Sequence, residues 1–241
     1  MYAVFKRELY SFLSSMVAFI TIGIFLLVSG LLLWFFPDTS ILDYGYAELG
    51  GFFSLVPYLF MFLIPAITMR SFAEEKKEGT YELLITKPVT LWQIIFAKYF
   101  SSLVLVLFSL IPTTVYYFSI SKLGLPEGNI DSGAVIGSYV GLFLLGTAFT
   151  SIGIFASSIT KNQIIAFAIA ATICAFTFLG FDYTSQIFAL SSLETTVSAL
   201  GINEHYQAIS RGVLDTRDLL YFLSFSGIFL LFTNLAAGGN K

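Results

Sequence analysis

Apolar residues in this chain gather into six mainly apolar runs, at residues 16–36, 52–69, 95–118, 134–157, 164–181 and 219–235. Crossing the roughly 30 Å hydrocarbon layer as a helix takes about 20 mainly apolar residues. Each run therefore predicts a transmembrane helix. The first is 21 residues long, lacks a small-x-small cleavage site and follows a patterned leader, so it is expected to be a retained span and not a signal peptide. In that leader Tyr2, Phe5, Leu9, Phe12 and Met16 recur at steps of three and four, with Lys6, Arg7, Ser11 and Ser14 off that face. This predicts an amphipathic elbow helix at residues 1–15, lying in the membrane interface.

Breaks and small residues refine the runs. Pro57 and Pro65 in the second span and Pro112 in the third predict bends. Gly137 and Gly141, continued by Gly146, Thr150 and Gly153, predict close approach of a neighbour to the fourth span, by packing within the chain more readily than by a dimer seam. The 36-residue stretch 182–217 is expected to form two short helices folded onto the end of the bundle. One carries the stripe Leu190, Leu193, Val197 and Leu200, and the other starts at an Asn203 cap and stops at Gly212.

Composition agrees: 57% of the 241 residues are hydrophobic and 11% charged, with a mean hydropathy of +0.86, more apolar surface than a soluble core of this size could hide. Charge placement adds an orientation. Lys6, Arg7, Arg70, Lys76, Lys77, Lys87, Lys98, Lys161 and Lys241 fall on one side of the six runs and Lys122, Arg211 and Arg217 on the other. The positive-inside bias makes the first side, with both termini, cytoplasmic. Cys174 lies alone mid-span and forms no disulfide framework. No basic stripe suggests nucleic acid as a partner.

Several chemistries lack their groups. The central parts of the six runs hold no ionisable side chain, against an ion-coupled transporter. His205 is the sole histidine and Asp182 stands alone at a boundary, so no catalytic or metal-ligating set is expected. Arg211, Asp215, Arg217 and Asp218 form the densest outer charge group, read as helix capping and mutual pairing, with Asp215 and Asp218 at capping-box spacing.

Charge also gathers between the second and third spans. Gly79 can end a helix continuing from the second span, Pro88 forbids one running into the third, and residues 80–87 lie between. Thr80 is expected to cap a short crosswise helix with Glu82 in its first turn, Thr90 with Gln93 has capping-box spacing at the start of the third span, and Thr160, three residues before Gln163, has the same helix-start spacing. Tyr81, Leu83, Leu84 and Ile85 give that helix apolar knobs beside acidic edges. Such a segment is either a solvated connector or one that inserts into a cleft of a soluble partner.

The run EEKKEGTYELLITKPV at residues 74–89 resembles the signature of ABC-2 type permeases after their second helix, and RGVLDTRDLLYF at residues 211–222 resembles their run into the last helix. Around FPDTSILDYGYAELGGFF the chain is most similar to the GldF-like permeases associated with gliding motility in Bacteroidota, and its motifs are also similar to the permeases of nitrous oxide reductase maturation.

The resemblance implies one all-α, polytopic type V ABC transporter transmembrane domain over residues 1–241, with an elbow helix at 1–15, a coupling segment at 71–90 and extracytoplasmic re-entrant helices at 182–217. It implies an inner-membrane transport subunit that is no enzyme itself: ATP and Mg are used by a separate ABC ATPase subunit, and this chain binds no cofactor of its own. On the motif's pattern Glu74, Glu75, Gly79, Thr80, Tyr81, Glu82, Leu83, Leu84 and Pro88 meet the ATPase, joined by Thr160 and Lys161 of the short 158–163 loop. Arg211, Gly212, Asp215, Arg217 and Asp218 shape an extracytoplasmic gate. The absence of a G-x-x-x-x-G-K-[ST] run accords with that division. Six helices are half of the usual twelve, so a second copy or a paralogue is expected, with a GldG-like auxiliary protein as a further partner. The work done is export, or mechanical action on an extracytoplasmic partner.

Overall fold

The computed structural model describes residues 1–36, 40–41, 48–86, 88–187, 198–212 and 215–238, and among these the chain is helical with no strand. An N-terminal helix α1 (Tyr2–Leu13) turns at Ser15, whose backbone is extended, into α2 (Met16–Trp34). Then come α3 (Gly50–Thr68), α4 (Arg70–Glu78), α5 (Thr80–Ile85), α6 (Leu91–Leu110), α7 (Thr114–Leu123), α8 (Ser132–Ile159), α9 (Gln163–Ala175), α10 (Phe181–Ile187), α11 (Ile202–Ser210) and α12 (Thr216–Gly238). Among the described residues six helices, counting α3–α4, α6–α7 and α9–α10 as continuous rods, are long and apolar enough to cross a membrane.

Helix α8 is the axis: 83% of its most apolar stretch is buried, against 22% for α2 and for α12 and 28% for the α9 rod. The reason lies in its small residues. A Cβ on Gly146 would meet Val106 of α6 at 3.0 Å, and one on Gly153 would lie 2.0 Å from the Thr68 hydroxyl of α3. At Gly137 the approach is to Gly212 Cα, at 3.0 Å, so the GxxxG pair seats α11 inside the same chain. Pro112 bends its rod through a 3₁₀ turn at Ile111–Thr113. By contrast α3 runs on through Pro57 and Pro65, and its rod breaks only at Met69.

Two apolar clusters result. The larger joins α2, α3, α6, α8 and α11 through Phe52, Phe60, Leu105, Phe149 and Ile209. The smaller occupies one end, with Phe72, Tyr81, Leu84, Ile94, Tyr99, Leu230 and Ala237. Tyr81 of α5 touches Ala237 of α12, and α1 lies against α6, so the first helix, the 70–90 segment and the end of α12 share that charged end. Gly50, the α7–α8 connection and α11 lie at the far end.

Three expected helix starts differ. Thr80 is the first residue of α5, its cap being Gly79. Thr160 ends α8 and its hydroxyl accepts from Asn162 N–H, while the Asn162 side chain caps α9 by accepting from Ile164 N–H at 2.9 Å. Asn203 lies within α11, which Gly201 caps with extended backbone. Thr90 and Gln93 do form the reciprocal capping box of α6. Of the 182–217 stripe, Leu190, Leu193 and Val197 fall outside the described residues, as does Lys87.

Candidate functional site

The charged end is built around a turn that only glycine accommodates without strain. Gly79 takes φ +71°, its N–H returns to Glu75 O, and α5 leaves in a new direction. Burial then divides α5 into two faces. Tyr81 and Leu84 point into the bundle, at 6% and 3% exposure, while Glu82 and Leu83 point outward, Leu83 at 66%. The Tyr81 hydroxyl donates to Ala237 O at 3.0 Å, satisfying a carbonyl in the last turn of α12 that has no helical partner. Phe72 packs edge-on to the Tyr81 ring at 6.0 Å, and Lys76 Nζ sits 5.3 Å over it. Burial raises the phenol's pKa, and the nearby Glu75 charge adds to the shift.

Beneath α5 lies a cluster that the sequence analysis missed. Lys98, in the second turn of α6, is fully buried: its ammonium donates to Ser71 O at 2.6 Å and lies 3.1 Å from Glu8 Oε1 and 3.0 Å from Glu75 Oε2. The face of Phe72 is 5.1 Å from the same nitrogen. Arg7 closes the ring, pairing with Glu8 Oε1 at 2.9 Å and with Glu75. Partial burial works against the Arg7 charge, but hydrogen bonds and Coulomb attraction from Glu8 and Glu75 outweigh it and raise its pKa. Two cations and two carboxylates thus tie α1, α4 and α6 together. A signal was present: Glu8 lies between Phe5 and Phe12 on the leader's inward face, and Lys98 interrupts an apolar run.

Further bonds link this end to its neighbours. Ser157 of α8 accepts from Phe72 N–H at 2.9 Å and Ala73 N–H at 3.0 Å and donates to Met69 O, bridging the break between α3 and α4. Arg70 reaches the Ser15 hydroxyl at the elbow and forms a two-pronged pair with Glu74. Lys76 donates to Ser158 O, bringing the 158–163 loop with Thr160 and exposed Lys161 beside α4.

The residues taken for the coupling surface therefore separate. Glu82, Leu83, Gly79, Thr80, Pro88 and Lys161 are exposed; Tyr81 and Leu84 are internal fastenings, Glu75 belongs to the buried ion cluster, and Glu74 holds Arg70.

At the far end the expected mutual pairing of the charge group is not what forms. Asp215 Oδ1 accepts from Arg217 N–H at 2.9 Å, starting α12, but Asp218 does not complete the box. It is buried and meets His205 Nδ1 at 2.6 Å, while His205 Nε2 lies 3.0 Å from Ala199 O and the ring stacks on Tyr221. Arg211 and Arg217 are exposed and make no ion pair among the described residues. Gly212 takes φ +86° where it meets α8.

Residues 37–237 match the model of the ABC-2 family transporter proteins. No curated protein matches the chain.

Proposed function

Because the chain belongs to the ABC-2 family of transporter proteins, a six-span permease subunit of an ABC transporter, we propose that the outward face of α5 is where a separate ABC ATPase subunit acts on it. The observation that supports this is the two-sidedness of a six-residue helix: Leu83 and Glu82 are offered to a partner while Tyr81 and Leu84 anchor the same helix to the membrane bundle. Lys161 borders that face. ATP and Mg belong to the partner, and the charged end is cytoplasmic on the positive-inside bias.

Force applied to Leu83 has three outlets. Through Tyr81 it reaches α12, through Phe72 and Ser157 it reaches α8, and through Glu75 and Lys98 it reaches α6 and the elbow helix. Charged contacts in a poorly hydrated site hold their geometry firmly, so movement of α4 displaces its partners instead of dissipating locally. A second copy or a paralogue completes the twelve-helix unit. Resemblance to the GldF-like permeases supports an exporter serving gliding motility, with a GldG-like protein as an accessory.

The test is ATP hydrolysis by the purified complex of this chain with its ATPase, comparing wild type with a Glu82→Ala, Leu83→Ala double variant. Leu84 is a poor choice because its loss would also disturb the core. Loss of assembly or of permease-dependent hydrolysis supports the reading; unchanged assembly and turnover contradict it.

A further inference from the structure

A cavity of about 490 Å³ opens at the far end between the start of α3, the π-helical turn at Phe176–Gly180 and α11. That volume falls within the range of small-molecule sites. Its shape is preformed: the Tyr206 hydroxyl donates to Phe53 O at 2.6 Å, and α11 is seated on the glycines of α8. Phe53, Tyr58 and Phe178 make an aromatic wall, with Tyr58 edge-on to Phe178 at 5.9 Å. Arg211 is among the residues lining the cavity, its guanidinium has no carboxylate partner among the described residues, and Gln207 sits one turn before it.

The charge is one-sided. A second cavity of about 370 Å³ shares Gly50, Phe53, Ser138 and Ser210 with the first, and there the charged side chains are Glu48 and Asp131. An anion is therefore drawn toward Arg211 and repelled from the neighbouring chamber. A guanidinium offers five donors in a fork that matches phosphate or carboxylate oxygens. Beside it, Phe53, Leu55, Pro57, Tyr58 and Phe178 form an apolar side that suits an alkyl chain, while Ser54, Asn203, Gln207 and Ser210 add polar groups that suit the head.

We propose that this cavity binds an anionic lipid-like amphiphile, its head on Arg211 and its chain along Phe53, Tyr58 and Phe178. Binding is a property of this chain alone and is measured without the ATPase, so its failure leaves the coupling reading untouched.

The test uses the purified full chain in a neutral maltoside with dansyl-undecanoic acid as the probe, subtracting its partition into empty micelles. Saturable probe fluorescence should be displaced by dodecyl phosphate at least roughly tenfold more effectively than by dodecanol. Arg211→Gln should weaken the probe by about tenfold and Tyr58→Ala should weaken it too, whereas Lys122→Gln, at another exposed cation of the same end, should not. An unchanged thermal midpoint shows that each variant is folded. Equal displacement by dodecanol, or an Arg211→Gln variant that binds normally, overturns the site. Displacement by inorganic phosphate as good as that by dodecyl phosphate also overturns it, because the apolar wall would then contribute nothing.

Discussion

At Lys98 one ammonium, itself out of contact with water, serves a backbone carbonyl, two carboxylates and an aromatic face. Removing one member of such a cluster leaves the others charged and buried, which costs about 3 to 5 kcal/mol. Lys98→Met is expected to lower the thermal midpoint of the purified chain strongly, and adding Glu8→Gln should return part of the loss, a coupling that a double-mutant cycle reads directly. Tyr81→Phe deletes one buried hydrogen bond and should cost about 1 kcal/mol. The Tyr81 phenol also gives a pH dependence. Its folded pKa lies above the ordinary value of about 10, so the unfolded chain loses that proton first. The stability it contributes is thus complete at neutral pH and falls as pH rises past about 10 toward the folded value, a decline that Tyr81→Phe should remove from an alkaline unfolding series. The Thr90 cap and the Gly79 stop were legible as residues, because each needs only its immediate neighbours. Glu8 and Lys98 each stood out singly as a charge on an apolar face, but their pairing was not legible, since a leader residue and a third-span residue meet only after the chain has folded back on itself.

At the scale of elements, α8 illustrates how composition sets position. A helix with glycine at successive contacts lets α3, α6 and α11 approach its backbone, and so it becomes the most enclosed of the six spans. Gly153→Ala would force Thr68 away at the base of α3, where Ser157 bridges to α4. The expected result is a lower midpoint, together with weaker ATPase coupling at temperatures where the variant is still folded. Gly79→Ala makes a contrasting case: nothing lies within 4 Å of the added methyl, so its effect is the strain of a left-handed residue, about 1 kcal/mol. The GxxxG spacing showed that something approaches α8, while only the folded chain identifies α11 as the occupant. Helix existence was readable because long apolar runs leave few alternatives in a membrane. Helix starts were less so, since a Thr or Asn at the right spacing competes with nearby groups: Asn162 displaces Thr160, and Gly201 precedes Asn203.

For the molecule as a whole, six apolar rods follow from the hydrophobic pattern, and the family match over residues 37–237 makes this an ABC-2 permease subunit. Helices α2, α9 and α12 keep the largest exposed apolar sides of the six spans. The two ends differ in kind. One concentrates its charges into an anchored surface from which Leu83 of α5 protrudes; the other holds cavities, the His205–Asp218 pair and, among the described residues, two arginines without an ion pair, Arg211 and Arg217. The sequence motif marked residues 74–88 as one surface, but a linear motif does not separate the side chains that face a partner from those that fasten the segment down. Cross-linking separates them most directly. Cys174 is buried, so a cysteine introduced at position 83 gives a clean site for a thiol cross-linker in membranes containing the cognate ATPase. The account predicts that Leu83→Cys joins this chain to the ATPase subunit, whereas Leu220→Cys, exposed at the start of α12, does not. Equal cross-linking from both positions, or none from position 83 in a complex that still hydrolyses ATP, would contradict it.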